Sequence, residues 1–188
     1  TEKSCAVISL AGKEDINDAV LAAKQAFKTW GFSTKEERIA LLENFYELYK
    51  KRWNDITDAI ILEMGAPKDF ASKLQTGTGA SHTKSFIRYL KEFEFEKTLG
   101  DHAKNQRILY EPKGICALIT PWNWPMNQVC LKVIPALAAG CTMILKPSEL
   151  APLSSIVLAE LIDEAKFPNG VFNLVNGDGA TTGDALTS

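Results

Sequence analysis

The sequence predicts an α/β fold: a Rossmann-like parallel sheet preceded by a helical segment and a β-hairpin. Three observations carry it. From Gly114 onward, apolar runs of strand length alternate with helix-length segments as βαβαβ. Those runs are continuously apolar, the pattern of strands covered on both faces. Residues 1–93 instead place apolar side chains at helical spacing.

In chain order, Ile16, Ala19, Val20, Ala23 and Phe27 mark a helix between Lys13 and Trp30, interrupted by Gly31. Ser33-Thr34-Lys35-Glu36 reads as a capping box, Ser33 accepting from the third backbone N–H and Glu36 reaching back. Arg38, Leu41, Leu42, Phe45, Leu48 and Tyr49 then form one stripe, and Ile56, Ile60, Ile61 and Met64 continue it until Gly65 and Pro67 stop it. A further helix is expected from Asp69 to Phe93, loosened by Gly77 and Gly79. Gly100-Asp101 and Asn105 separate two short extended runs within 94–112, the second being Gln106 to Tyr110, which predicts a hairpin. Strand Ile115–Ile119 leads to a helix over Met126–Ala139, and strand Thr142–Leu145 to a helix over Leu153–Lys166. Strand Val171–Val175 ends at Gly177-Asp178-Gly179-Ala180-Thr181-Thr182-Gly183, which opens a third helix. The expected division is a helical part at 1–93, the hairpin at 94–112 and the Rossmann-like region at 113–188.

With 46% hydrophobic and 23% charged residues, the 188 residues can bury a substantial core. A net charge of −2 supplies no basic field, which argues against nucleic acid or an anionic membrane as partner. No apolar stretch approaches bilayer-spanning length. Thr1-Glu2-Lys3-Ser4 has neither an initiator methionine nor the apolar core of a signal peptide, so a missing beginning and a cytoplasmic setting are expected. Cys5, Cys116, Cys130 and Cys141 show no metal-ligand spacing and read as buried free thiols in a reducing compartment. His82 and His102 read as surface or loop histidines, and no metal site is expected.

Two segments carry chemistry. Ile119-Thr120-Pro121-Trp122-Asn123-Trp124-Pro125 ends the first strand in a turn stiffened by two prolines, with one side-chain amide between two indoles. Lys146-Pro147-Ser148-Glu149 ends the second strand in an ammonium and a carboxylate. Ligands of open parallel sheets bind at the carboxyl ends of strands, where both segments sit. The first offers a hydrogen-bond donor in a dry, aromatic setting. The second suits a nucleotide's ribose, since an ammonium donates to one hydroxyl and a carboxylate accepts from both. Bland alternatives stand beside these: Asn123 capping the following helix, and Lys146–Glu149 as a surface ion pair. Gly177-x-Gly179-x-x-x-Gly183 departs from the dinucleotide fingerprint by one residue in its last gap.

These motifs, in this order and spacing, resemble the aldehyde dehydrogenase superfamily. The resemblance extends through Asn127 to Lys132, Pro135-Ala136-Leu137-Ala138-Ala139-Gly140 and Gly170 to Val175 with the glycine turn, so that essentially the whole chain is covered. It implies that Asn123 stabilises the oxyanion of a tetrahedral adduct and that Lys132 supports the polar network around it. It also implies that Lys146 and Glu149 hold the adenosine ribose, and that the backbone of Gly179 and Ala180 passes close to the cofactor. Ile119, Thr120, Pro121, Trp122, Pro147 and Ser148 complete the implied cofactor-binding set. Many members have proline where this chain has Ala180, which leaves that turn less rigid. The implied cofactor is NAD, favoured over an admissible NADP because Glu149 repels a 2′-phosphate. The hairpin implies self-association as a homodimer or homotetramer, and the implied substrate is a small-molecule aldehyde.

Family chemistry also needs a cysteine nucleophile and a glutamate base within Glu-Leu-Gly-Gly, both downstream of the matched region. The chain is therefore expected to be an amino-terminal portion from which the catalytic domain is absent, inactive alone. Two other readings remain: a non-catalytic nucleotide-binding fragment or scaffold, and a relative that forms acyl-CoA or reduces an activated acid.

Overall fold

The computed structural model describes residues 4–188; Thr1-Glu2-Lys3, on which the reading of the amino terminus rested, lies outside the described residues. Helix α1 (Lys13–Trp30) is followed by α2 (Lys35–Lys51) and α3 (Trp53–Met64). A long helical body comes next, built of α4 (Lys68–Phe70), a π turn (Ala71–Thr76) and α5 (Gly77–Glu92). Strands β1 (Glu96–Thr98) and β2 (Arg107–Leu109) form an antiparallel hairpin. Then come β3 (Ile115–Ile119), α6 (Pro125–Ala138), β4 (Thr142–Lys146), α7 (Leu153–Glu164), β5 (Phe172–Leu174), a second π turn (Gly179–Gly183) and α8 (Asp184–Thr187). The three strands β3, β4 and β5 pair in parallel in that spatial order, giving the expected Rossmann-like βαβαβ unit.

Side chains alternate across a strand, and this decides which helix covers which face. Met143 and Leu145 enter the main core with Val133 and Leu137 of α6 and Leu158 and Leu161 of α7. Ile144 joins a second cluster with Ile16 and Ala23 of α1 and with Val175. So α1 covers one face and α6 with α7 the other. Phe45, Tyr49, Ile56, Ile60 and Ile87 extend the main core outward through α2, α3 and α5. Each fully buried side chain of this size contributes about 1.5–3 kcal/mol, so β4, buried at every position, is the best-anchored strand. Two-sided burial is limited to β4. As the edge strand, β3 leaves Ile115, Ala117 and Ile119 exposed, because α1 on that face lies mainly over the central strand β4.

Local differences from the sequence reading have local causes. The capping box sits one residue later: Thr34 Oγ1 accepts from Glu37 N at 3.1 Å while the Glu37 carboxylate takes Thr34 N at 2.7 Å. Ser33 instead donates back to Trp30 O at 2.6 Å, closing the end of α1. The stripe from Arg38 to Met64 breaks at Arg52, whose guanidinium bonds Asp55 at 2.8 Å, Glu160 at 2.7 Å and Glu164 at 2.8 Å. Gly79 does not loosen its helix. It is buried where a Cβ would collide with the Tyr49 hydroxyl and press on Met126, so it marks a close approach of helices. Of the cysteines, Cys130 and Cys141 are buried, whereas Cys116 is half-buried and Cys5 exposed.

Candidate active site

Parallel register brings three loops to one edge of the sheet. Ile119 lies opposite Lys146 and Leu145 opposite Leu174, so the turn after β3, the Lys146–Glu149 segment after β4 and the glycine turn after β5 leave the sheet side by side. Thr120 N donates to Lys146 O at 3.2 Å, extending the ladder one step into the first loop. The Thr120 side chain is buried, and its hydroxyl has no partner among the described residues.

Asn123 lies exposed on this edge, and its amide makes no hydrogen bond to any described residue. It does not cap α6: the N-cap is Trp124, no side chain caps the helix, and Pro125 opens it at the position where a missing N–H costs nothing. Pro121 is exposed and Trp122 is 50% exposed, while Trp124 turns inward and meets the Phe70 ring edge-to-face at 5.4 Å. The water-shielded setting expected for the amide is therefore not formed by the described residues; no element packs over the turn. The Lys132 side chain, half-buried on α6, makes no hydrogen bond or ion pair with Asn123.

Lys146 is not half of a surface ion pair. It is 3% exposed, and its ammonium donates to Gly177 O at 2.6 Å and Pro147 O at 3.0 Å. Two of its three N–H groups are thus committed to the neighbouring loops. The exposed Glu149 carboxylate stands 3.6 Å away, in ion-pair range but beyond a hydrogen bond. Pro147 is buried beneath, and Ser148 Oγ accepts from Leu150 N at 3.2 Å, fixing the turn that presents Glu149.

The glycine turn is stiffened by a residue that the sequence reading passed over. Asp178 accepts from Thr181 N at 2.7 Å and from Thr181 Oγ1 at 2.6 Å, an Asx cap on the π turn. The Thr181 side-chain bond, the Thr181 backbone bond and the nearby Lys146 charge hold its carboxyl below the usual range. The cap supplies rigidity that Ala180 does not, and its signal was legible: an aspartate three positions before a threonine at a helix start. Thr182 ties the same turn to the chain's start by donating to Ala11 O at 2.7 Å. Gly179 and Ala180 are exposed, and a Cβ on Gly179 would meet nothing within 4 Å, so the backbone there is open to approach.

His82 is not a surface or loop residue. It is half-buried on α5, and its Nε2 lies 2.7 Å from Asn127 Oδ1 on the first turn of α6. His102, in the hairpin loop, is exposed as expected. Cys130 has its thiol pushed up to about 12 by burial, and Cys116 to about 11, so neither supplies a thiolate near neutral pH. Among the described residues no helix is long and apolar enough to cross a membrane. A separate apolar groove of about 390 Å³, lined by Phe86, Tyr89, Phe93, Phe95, Tyr110 and Pro135, lies against the hairpin.

The donor set at the sheet edge fits a dinucleotide. A buried ammonium with one uncommitted N–H, an exposed carboxylate beside it and an open glycine backbone match a ribose diol and the phosphates it carries.

The Aldehyde dehydrogenase family model matches residues 1–188. A 3-succinoylsemialdehyde-pyridine dehydrogenase from a Pseudomonas species is 47% identical over 189 residues, covering 100% of this chain and 39% of that protein. The crystal structure of an aldehyde dehydrogenase from Bartonella henselae superposes with a TM-score of 0.97 at 53% identity, covering 100% of this chain and 39% of that one. A mutant aldehyde dehydrogenase C from Pseudomonas syringae, complexed with NAD+ and octanal, gives a TM-score of 0.94 at 42% identity, over 98% of this chain and 37% of that one. The chain thus spans about 39% of the length of that curated relative and about 38% of others that it matches.

Proposed function

This chain belongs to the aldehyde dehydrogenase family, and from that premise we propose that it forms the cofactor-ribose grip and the oxyanion donor of an enzyme oxidising an aldehyde to a carboxylic acid with NAD. The observation that carries this reading is the placement of Lys146, Glu149 and the unbonded Asn123 amide on adjacent loops at one sheet edge. Lys146, with one uncommitted N–H, and Glu149 beside it would hold the two ribose hydroxyls of NAD, which when bound would supply the hydride acceptor for oxidation of the adduct. Thr120, Pro121, Trp122, Pro147, Ser148, Gly179 and Ala180 border the same edge and shape the approach to it.

Asn123 acts on the substrate oxygen. As a nucleophile adds to the carbonyl, negative charge builds on that oxygen, and an amide N–H already aimed there favours the adduct over the neutral aldehyde. Since the side chain has no competing bond among the described residues, only its hydration is exchanged when it donates. Lys132 contributes to the surrounding field from α6. On this reading the nucleophile and the base that activates water are other residues than these, and Asn123 acts on the adduct that the nucleophile forms. The assembly is a homodimer or homotetramer joined through the hairpin.

The Pseudomonas relative's name describes a pyridine-bearing semialdehyde, and the Pseudomonas syringae complex contains octanal. A panel spanning both kinds of aldehyde, followed by NADH absorbance with the enzyme that contains this chain, tests the proposal. NAD-dependent turnover of at least one member is the expected result. NAD binding without turnover of any would support a non-catalytic nucleotide-binding role instead, and turnover that requires coenzyme A would support the acylating relative.

A further inference from the structure

The unusual backbone of the chain's longest helical body is the π turn Ala71–Thr76, in which Gly77 N bonds Ser72 O five residues back. Such a turn holds one residue more than an α-helical turn and is costly unless something offsets it. Here one of its carbonyls and two of its side-chain hydroxyls are bonded by α2 and α3. Tyr49 Oη donates to Thr76 O at 2.9 Å, Trp53 Nε1 to Ser72 Oγ at 2.9 Å, and Thr57 and Thr76 hydroxyls pair at 3.0 Å. The extra residue has a geometric consequence on the opposite side. Phe70 and His82 are twelve positions apart, which on a regular α-helix would set them about 120° from each other. One inserted residue removes about 100° of that and brings both to within roughly 20° of a single face.

That face meets α6 at the turn bearing Asn123. Phe70 holds Trp124, the residue after Asn123, at 5.4 Å ring to ring. His82 Nε2 holds Asn127 Oδ1 at 2.7 Å; the amide oxygen can only accept, so Nε2 carries the proton. Between them Met126 is fully buried, where Gly79 lets the two helices approach. The start of α6 has no side-chain cap of its own. We propose that Phe70 and His82 are positioning residues for Asn123, and that the π turn is the device that puts both on the face clamping Trp124 and Asn127, the start of α6 that immediately follows it. This rests on the reading of Asn123 as the oxyanion donor.

The test is a double-mutant cycle in the enzyme that contains this chain, reading kcat, KM for the aldehyde, Kd for NAD and thermal unfolding. His82→Ala should lower kcat by roughly ten- to a hundredfold through misplacement of the donor, with Kd for NAD within about twofold. His82→Gln, which keeps a donor for Asn127 Oδ1, should recover most of the loss. On an Asn123→Ala background, His82→Ala should cost no more than about a further twofold, because a residue acting only through Asn123 has nothing left to position. Wild-type kcat in H82A, or a full additional loss in the double variant, overturns the positioning role. Should H82A fail to fold, Asn127→Ser cuts the same bond from the other end and takes its place in the cycle. If N123A itself retains wild-type turnover, the oxyanion reading fails and the positioning role falls with it; if N123A is impaired and H82A is not, only the latter falls.

Discussion

Glu63, at the end of α3, and Ser154, in the first turn of α7, stand 91 positions apart and are joined by two hydrogen bonds. Ser154 Oγ donates to Glu63 Oε1 at 2.5 Å and Ser154 N to Oε2 at 3.2 Å, with Leu153 N adding a third bond at 2.6 Å. Pro152, the N-cap of α7, supplies no side-chain cap. A carboxylate from another helix therefore satisfies the orphan N–H groups and faces the positive end of the helix dipole.

Glu63→Ala should destabilise the fold by about 1–2 kcal/mol, the usual cost of losing a cap, read from urea unfolding. The same residue sets a pH dependence. Burial raises its carboxyl, outweighing the Ser154 and Leu153 bonds that lower it. The folded state therefore binds this proton more tightly than the unfolded state does. Its stabilising contribution is fully present below the ordinary value of 4.5 and lost as pH rises through the raised folded value. Glu63→Gln should remove that slope while keeping an acceptor for the backbone. An unchanged slope would show that another group sets it.

Asp178 and Glu37 have the opposite sign. Their hydrogen bonds to Thr181 and Thr34 hold both carboxyls low, so their contribution is present above the ordinary values and lost as pH falls through the folded ones. Asp178→Asn keeps an acceptor for Thr181 and should flatten the acid limb of the stability curve. An acid limb matching wild type would count against the assignment.

Asn123→Ala should lower turnover by about 10²–10³ while leaving Kd for NAD within about twofold. Because the side chain is exposed and unbonded, the melting temperature should not move. A matching loss of stability would instead point to a structural role for the amide.

Lys146 and Glu149 should separate in their effects. Glu149→Ala should narrow the preference for NAD over NADP and leave stability intact, since the carboxylate is exposed. Lys146→Met should weaken NAD binding and also destabilise by about 1–3 kcal/mol, because Gly177 O loses a buried donor. Calorimetric titration with both cofactors, alongside unfolding, distinguishes the two patterns.

Gly79→Ala should cost about 1–3 kcal/mol, since its Cβ has no room beside Tyr49. Adding Tyr49→Phe removes the obstructing hydroxyl and should recover part of that cost, although Thr76 O then loses its donor. Strict additivity of the two unfolding penalties would show that Gly79 is not a contact point.

Local patterns were enough to place most elements. Ile16, Ala23 and their neighbours specify α1 by spacing; Thr142 to Leu145 and Val171 to Val175 specify strands by their apolar runs, and Gly65 and Pro67 end α3. The chemistry-bearing segments were equally legible, because proline, tryptophan and a lone asparagine at a strand end restrict what the chain can do there. Less legible was the register of small devices. Ser33 and Thr34 are both competent caps, and only the competition for Trp30 O decides that Thr34 takes the role.

By itself the sequence determined the βαβαβ order and the identities of Asn123, Lys146 and Glu149, because periodicity and residue chemistry act over a few positions. Only the tertiary structure decided that Lys146 is buried beneath the glycine turn, that Glu63 caps α7, and that Phe70 and His82, with a π turn between them, meet Trp124 and Asn127 at the start of α6. Those outcomes depend on groups between 31 and 91 positions apart finding one another as the helices close onto the sheet. No local pattern encodes which buried donor will meet which acceptor; packing settles it, since each such group left unpaired would cost about 1–3 kcal/mol.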